Sequence, residues 1–265
     1  MVHNRRRVVV HMCHKYTVSL VEFRIWIQMN TDSARRPVLA SQLDLLEVSS
    51  SITALPRVGA VACPCLDAFE ADALVSVVDE LEYRPARATT GSEKAPVYQD
   101  FDLCYDIPSD HGLWEFAQVL EQALTNALAG AEVDSAGYPL RLNDLIVQRY
   151  PPGCAGITPH RDHVRYGFLI VIILLTGDGY FGVCHDRQGN GSREVEFKPG
   201  DLLLMGGPGL VSGFTRPFHF VNGVTDTRRT IGLRYDTQHV TQQKPKLGCQ
   251  ETPVDEQYIP GSWRR

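Results

Sequence analysis

His160-Arg161-Asp162-His163-Val164-Arg165-Tyr166-Gly167-Phe168-Leu169-Ile170-Val171-Ile172-Ile173-Leu174-Leu175 joins a chemical motif to a structural one. Phe168 to Leu175 is eight apolar residues rich in Ile, Leu and Val, the pattern of a strand buried on both faces. His160 and Asp162 put an imidazole and a carboxylate two residues apart, and a second imidazole, His219, follows 57 residues after Asp162. Two imidazoles and one carboxylate can hold one face of an octahedral non-heme Fe(II) and leave three positions open. In a chain with nine histidines, H-x-D alone is a weak signal. Its setting strengthens it: the turn-like run Pro151-Pro152-Gly153-Cys154-Ala155-Gly156 precedes it, the apolar strand follows, and His219 sits in Arg216-Pro217-Phe218-His219-Phe220-Val221, which suits a strand. His163 and His185 are read as bystanders.

Arg228-Arg229-Thr230-Ile231-Gly232-Leu233-Arg234 is the second constellation. In a strand, Arg228, Thr230, Gly232 and Arg234 share one face while Arg229, Ile231 and Leu233 take the other. Arginines six residues apart stand roughly 20 Å apart at the Cα, and their side chains leave a gap of roughly 6–8 Å. A short dicarboxylate fits that gap, since guanidinium pairs bidentately with carboxylate. Thr230 adds a hydroxyl, and Gly232 is expected to leave room between the two arginines.

These residues resemble the Fe(II)- and 2-oxoglutarate-dependent dioxygenases, within them the AlkB-like branch, from about Gly137-Tyr138-Pro139 to Thr237. Gln148-Arg149-Tyr150 is similar to the family's Asn-x-Tyr strand end, His160-x-Asp162 and His219 to its ligands, and Arg228-x-Thr230-x-Gly232-x-Arg234 to its R-x-N/S-x-T-x-R strand. The resemblance implies Fe(II) as cofactor and 2-oxoglutarate and O₂ as cosubstrates. It implies that Tyr150 and Arg228 hold the distal 2-oxoglutarate carboxylate, with Gln148 and Thr230 beside them, and that Arg234 lies near the chelating end. Gln148, Thr230 and Gly232 depart from the family's residues without removing a charge or a ligand. They leave cosubstrate use intact and weaken the transfer of the branch's nucleic-acid substrates.

The 265 residues, 43% hydrophobic, suffice for one enzyme domain. A formal charge of −5 counts against a nucleic-acid binder, which usually shows a basic footprint. Seven cysteines without zinc-finger spacing read as reduced thiols of a cytoplasmic protein, and no run reaches the length of a membrane span. Residues 1–28, basic but too polar for a signal peptide, are expected to be disordered or untranslated. Residues 1–55 form an N-terminal arm, 56–237 the dioxygenase domain with its jelly-roll core at about 138–237, and 238–265 a tail of little order.

The expected fold class is α+β, mainly β: a double-stranded β-helix (jelly roll) with two buttressing helices on its N-terminal side. Val58 to Ala62 suggests a strand. Asp67 and Glu70 open a helix whose Phe69, Ala73, Val77 and Leu81 share a face. A second helix starts near Ser109 or Asp110 and stops at Gly130. Strands are expected at 144–150, 168–175, 180–184, 195–197, 202–205, 218–221 and 228–235. Residues 84–106, with Tyr98, Phe101 and Tyr105, suit either a lid over the site or a hairpin. Three functions fit these features: an oxygenase of a small molecule, an AlkB-like demethylase of alkylated bases, and a cupin-like metal-binding module without turnover. The paired arginines speak against the last. A small molecule is the favoured partner and nucleic acid the alternative; the oligomeric state and the C–H bond attacked are not legible.

Overall fold

The computed structural model of the chain describes residues 40–133 and 139–238. In chain order these form α1 (Leu45–Val58), β1 (Ala60–Pro64), α2 (Ala68–Val78), β2 (Arg84–Pro85), β3 (Thr89–Ser92), β4 (Ala95–Asp100), β5 (Asp102–Cys104) and α3 (Gly112–Leu128). There follow β6 (Asp144–Tyr150), β7 (Gly156–His160), β8 (Tyr166–Thr176), β9 (Tyr180–Cys184), β10 (Arg193–Glu194), β11 (Asp201–Gly206), β12 (Phe218–Asn222) and β13 (Arg228–Asp236). The later strands divide between two antiparallel sheets: β11-β8-β13-β6 lies inside a seven-stranded sheet, and β10-β9-β12-β7 inside a six-stranded one. This is the double-stranded β-helix expected from the strand spacing. Among the described residues no helix is long and apolar enough to cross a membrane.

Alternation along the strands builds two separate cores. Leu145, Val147, Val171, Ile173, Ile231 and Leu233 face outward from the larger sheet and pack with the three helices. Ile146, Tyr150, Ile170, Phe181, Val183 and Val221 fill the space between the sheets. The long apolar run of β8 serves both, which is why it shows no period of two. Gly156 makes the crossing from β6 to β7 feasible: its φ is +76°, and a Cβ there would lie 2.0 Å from the Val221 carbonyl oxygen. Only glycine permits that approach, and it sets β7 against β12.

Several expectations are corrected. Residues 45–58, assigned to an arm, form α1, because Asp44 caps the helix by accepting from Leu46 N and Glu47 N and Val48, Ile52 and Leu55 are wholly buried. Each such burial contributes about 1.5–3 kcal/mol, which outweighs the weak helix propensity of Ser49-Ser50-Ser51 and Pro56. The folded domain therefore begins before residue 56. The first strand lies two residues later than expected. In α2 the buried stripe is Ala71, Leu74 and Val78, and Phe69 is 55% exposed. The capping box explains the offset: Glu70 turns inward to accept from Asp67 N, Ser41 N and Ser41 Oγ, so the face that carries it is the buried one. The helix expected to start near Ser109 or Asp110 is α3, and it is capped by His111, whose Nδ1 accepts from Leu113 N. Val195 to Phe197 is not a strand; β10 is the pair before it.

Residues 84–106 are tied into both sheets. The β3–β4 hairpin extends the smaller sheet beside β7, and β2 and β5 extend the larger one beside β6. Phe101 is buried against Tyr150, their ring centroids 4.7 Å apart, and is unavailable to a substrate. The segment forms a hairpin, with Tyr98 exposed but Phe101 buried where surface aromatics were expected. Residues 1–28, most of the tail and Gly137-Tyr138 lie outside the described residues.

Candidate functional site

His160 ends β7, Asp162 lies just beyond it, and His219 sits on β12 directly across from His160. The two imidazoles are 4.2 Å apart at their centroids, His219 Nε2 is 4.0 Å from Asp162 Oδ2, and one ligand atom from each of the three residues lies within 4.8 Å of the others. Among the described residues this is the one cluster of His, Cys, Asp or Glu with metal-ligand spacing. His160 Nδ1 donates to the Thr158 carbonyl at 2.9 Å. A carbonyl only accepts, so the proton is on Nδ1 and the Nε2 lone pair is free for a metal. Burial pushes both histidines below their usual range, His219 to about 3, with His160 adding to its shift. Burial alone would raise the Asp162 carboxyl, but His219, Arg234, His160 and Arg216 outweigh it and hold it down. Two neutral imidazoles and one carboxylate at neutral pH form the donor set that Fe(II) accepts.

The triad lines one side of a partly open cavity between the sheets. Gln148, Tyr150, Arg228, Thr230, Gly232 and Arg234 line it from the larger sheet, with Ile146, Ile170 and Phe181 completing an apolar wall. Antiparallel register produces this grouping: Arg228 faces Tyr150, Thr230 faces Gln148, and Arg234 faces Asp144 across β13 and β6. Arg228 is 1% exposed. Its NH1 donates to the Asp178 carbonyl at 3.1 Å, its guanidinium lies 5.3 Å from the Phe197 centroid, and its Nε finds no partner. Among the described residues no carboxylate pairs with it. Burial lowers its pKa to about 10, which leaves it charged at neutral pH. Burial raises the Tyr150 phenol, so Tyr150 stays a neutral donor beside it.

Arg234 is placed differently from the symmetric clamp expected of the strand. It pairs with Asp144 at 2.6 Å, donates to Tyr105 Oη at 2.9 Å and lies over the Tyr166 ring at 4.3 Å. Burial opposes its charge, but Tyr105, Asp144, Tyr166 and Asp162 hold its pKa well above the ordinary value. Its charge is already answered. Gly232 also has another reason than room between arginines: a Cβ there would meet Ile146 Cγ2 at 2.8 Å. Arg229, on the opposite face, makes a two-point pair with Asp79. His163 accepts from Arg165 N and stands outside the triad, as does the exposed His185. Asp144 and Tyr166 were not singled out in the sequence, and Tyr105 was read only as an aromatic of the 84–106 segment, not as a partner of Arg234. Only the register, which no local pattern shows, brings them to Arg234.

No family model matches the sequence, and no curated protein matches it. Among solved structures, the chain is similar to an oxidoreductase of the 2OG-Fe(II) oxygenase family from Burkholderia pseudomallei, at 16% identity over 72% of this chain and 90% of that one, with a TM-score of 0.49. It is similar at 17% identity to a prolyl-4-hydroxylase from Pseudomonas putida, over 72% of this chain and 99% of that one, TM-score 0.49. A prolyl hydroxylase from Trichoplax adhaerens, in complex with a peptide fragment of a hypoxia inducible factor, aligns at 12% identity over 72% and 90%, TM-score 0.49. Likenesses at this level leave activity, branch and substrate to be argued from the residues of this chain.

Proposed function

We propose that this chain is an Fe(II)- and 2-oxoglutarate-dependent dioxygenase that oxidises a small organic substrate by hydroxylation or oxidative dealkylation. The observation that carries the reading is Arg228. A buried guanidinium without a carboxylate partner is costly, and this one lies on the wall of the same cavity that the triad lines. A dicarboxylate chelated at the triad would bring its far carboxylate to Arg228. His160, Asp162 and His219 would hold Fe(II), which with 2-oxoglutarate and O₂ supplies oxidative decarboxylation to succinate and CO₂ and oxidation of a C–H bond.

The chain's own residues do the placing. Arg228 and Tyr150 would bind the distal carboxylate, the first by charge and the second by its phenolic proton, with Thr230 and Gln148 beside them. Ile146, Ile170 and Phe181 keep water from the space between. Arg234, pinned by Asp144, joins His219 in holding the Asp162 carboxyl below its usual range. Because Asp162 would supply a carboxylate as the third ligand, the donor set favours hydroxylation over halogenation. The spacing of Arg228, Thr230, Gly232 and Arg234 is what supports a reading within the AlkB-like branch.

A demethylase of alkylated bases is the second reading, favoured by the same strand. It needs a free aromatic face to stack the flipped base. Among the described residues the rings lining the cavity are Tyr150 and Phe181, and these are engaged by Phe101 and His219 respectively. A metal-binding module without turnover has no use for the unpaired Arg228. Five free cysteines among the described residues suit a reducing compartment, and we place the protein in the cytoplasm on that ground. Succinate release, measured with Fe(II), 2-oxoglutarate and a panel of small molecules and alkylated oligonucleotides, tests the proposal. Absence of both 2-oxoglutarate binding and succinate release in the iron-loaded protein would sink it.

A further inference from the structure

Arg161 lies between the ligands His160 and Asp162, and Phe218 directly precedes His219. The guanidinium carbon of Arg161 stands 4.1 Å from the Phe218 ring centroid and that of Arg187 stands 5.4 Å from it. Arg216 joins them: its NH1 donates to the Asp162 backbone carbonyl. Three cations thus gather at the edge of the triad, outside the wall of the cavity itself.

None of the three is in an ion pair with another described residue. The obvious acid, Asp186, is spent on its own loop, accepting from Gln188 N, Asn190 N and Asn190 Nδ2. Arg161 Nε is buried without a partner. Cation–π contact with one ring holds Arg161 and Arg187 in place without neutralising either. Like charges gathered in this way leave a local positive field that an anion would relieve. A guanidinium held by packing has also lost less freedom still to be lost when it binds an oxyanion.

We infer that Arg161, Arg187 and Arg216 form an anion subsite for the substrate, so that the oxidised molecule is a small organic acid or phosphate ester with its charged group at this rim. The inference rests on the oxygenase reading for what happens to that molecule, not for the binding of the anion. A cluster centred on a single phenylalanine fits one charged group. Tracking a nucleic-acid strand needs successive phosphate contacts, and this chain's net charge is −5.

The test uses the full chain, loaded anaerobically with Fe(II) and saturating 2-oxoglutarate so that Arg228 is occupied. Inorganic phosphate and acetate are then titrated calorimetrically, the two arms separating phosphate esters from carboxylates. The expected result is binding of at least one of them, weakened tenfold or more by Arg187→Gln and by Arg161→Gln, with 2-oxoglutarate affinity held. Arg187 is exposed, so its variant keeps the fold, and melting temperatures check both. In turnover, free acids should drive succinate release at least tenfold better than their methyl esters. Phosphate and acetate binding indifferent to both substitutions overturns the inference even if 2-oxoglutarate binds. Loss of 2-oxoglutarate binding with arginine-dependent phosphate binding retained overturns the oxygenase reading alone. Tight binding of a ten-nucleotide single strand through the same arginines, with a steep salt dependence, overturns the small-anion assignment in favour of a polymer.

Discussion

Arg234 is neutralised by Asp144 directly across the β13–β6 ladder, at 2.6 Å with both side chains about nine-tenths buried. Six residues earlier on the same face, Arg228 is equally enclosed and has only a backbone carbonyl. The strand therefore carries one arginine whose charge is paired and one with no carboxylate partner among the described residues.

Asp144→Ala leaves the Arg234 guanidinium buried without its countercharge. Removing one partner of a buried pair costs about 3–5 kcal/mol. Denaturant unfolding should show a loss of that order, while the double variant Asp144→Ala/Arg234→Met should recover part of it. A loss below about 1 kcal/mol would mean that Tyr105 and Tyr166 hold the charge unaided.

Arg228→Ala should raise the apparent KM for 2-oxoglutarate on the order of a hundredfold, ~3 kcal/mol, since a charge-assisted pair is lost and a buried carboxylate is left bare. Arg229→Ala should leave that KM alone and cost about 1 kcal/mol or less of stability, because its pair with Asp79 is at the surface. Equal effects at the two positions would contradict the observed register.

His160→Ala and Asp162→Ala should each abolish Fe(II)-dependent succinate release while leaving the circular dichroism of the β-sheet fold in place. His160, at the end of β7, and Asp162, just beyond it, belong to neither hydrophobic core. Retained turnover in either variant would remove the triad from the chemistry.

Acidification should destabilise the metal-free protein. The unfolded chain takes up protons on its histidines below about pH 6.5, whereas burial keeps folded His219 neutral down to about 3. Protons in that window favour the unfolded state, so the melting temperature of chelator-treated protein should fall from pH 7 to pH 5, and His219→Gln should flatten the fall. A profile flat in the wild type would show that the imidazole is not enclosed as described.

Double-stranded DNA should bind weakly at physiological salt. Binding free of base contacts draws on phosphate neutralisation, and Arg84, Arg87 and Lys94 of the 84–106 segment are offset by Glu93, Asp100, Asp102 and Asp106. Submicromolar binding with a steep log–log salt slope would favour the demethylase.

Much of the site was legible because local pattern sufficed for it. H-x-D, a histidine in an aromatic strand and arginines at even spacing are one-dimensional signals, and alternation put Arg228, Thr230, Gly232 and Arg234 on one face, where the cavity has them. The eight-residue apolar run likewise announced a strand with a core on each side. What stayed hidden depends on which strand lies beside which. The sequence could not show that Asp144 neutralises Arg234 and leaves Arg228 unpaired, that Gly232 makes way for Ile146, or that Phe101 closes over Tyr150. Nor could it show that α1 forms in spite of three serines and a proline, since its stability comes from burying Val48, Ile52 and Leu55 and not from propensity. Side-chain period is a property of a single strand and can be read from one. Charge pairing and burial are properties of neighbours brought together across the sheets, and only the tertiary structure decides those.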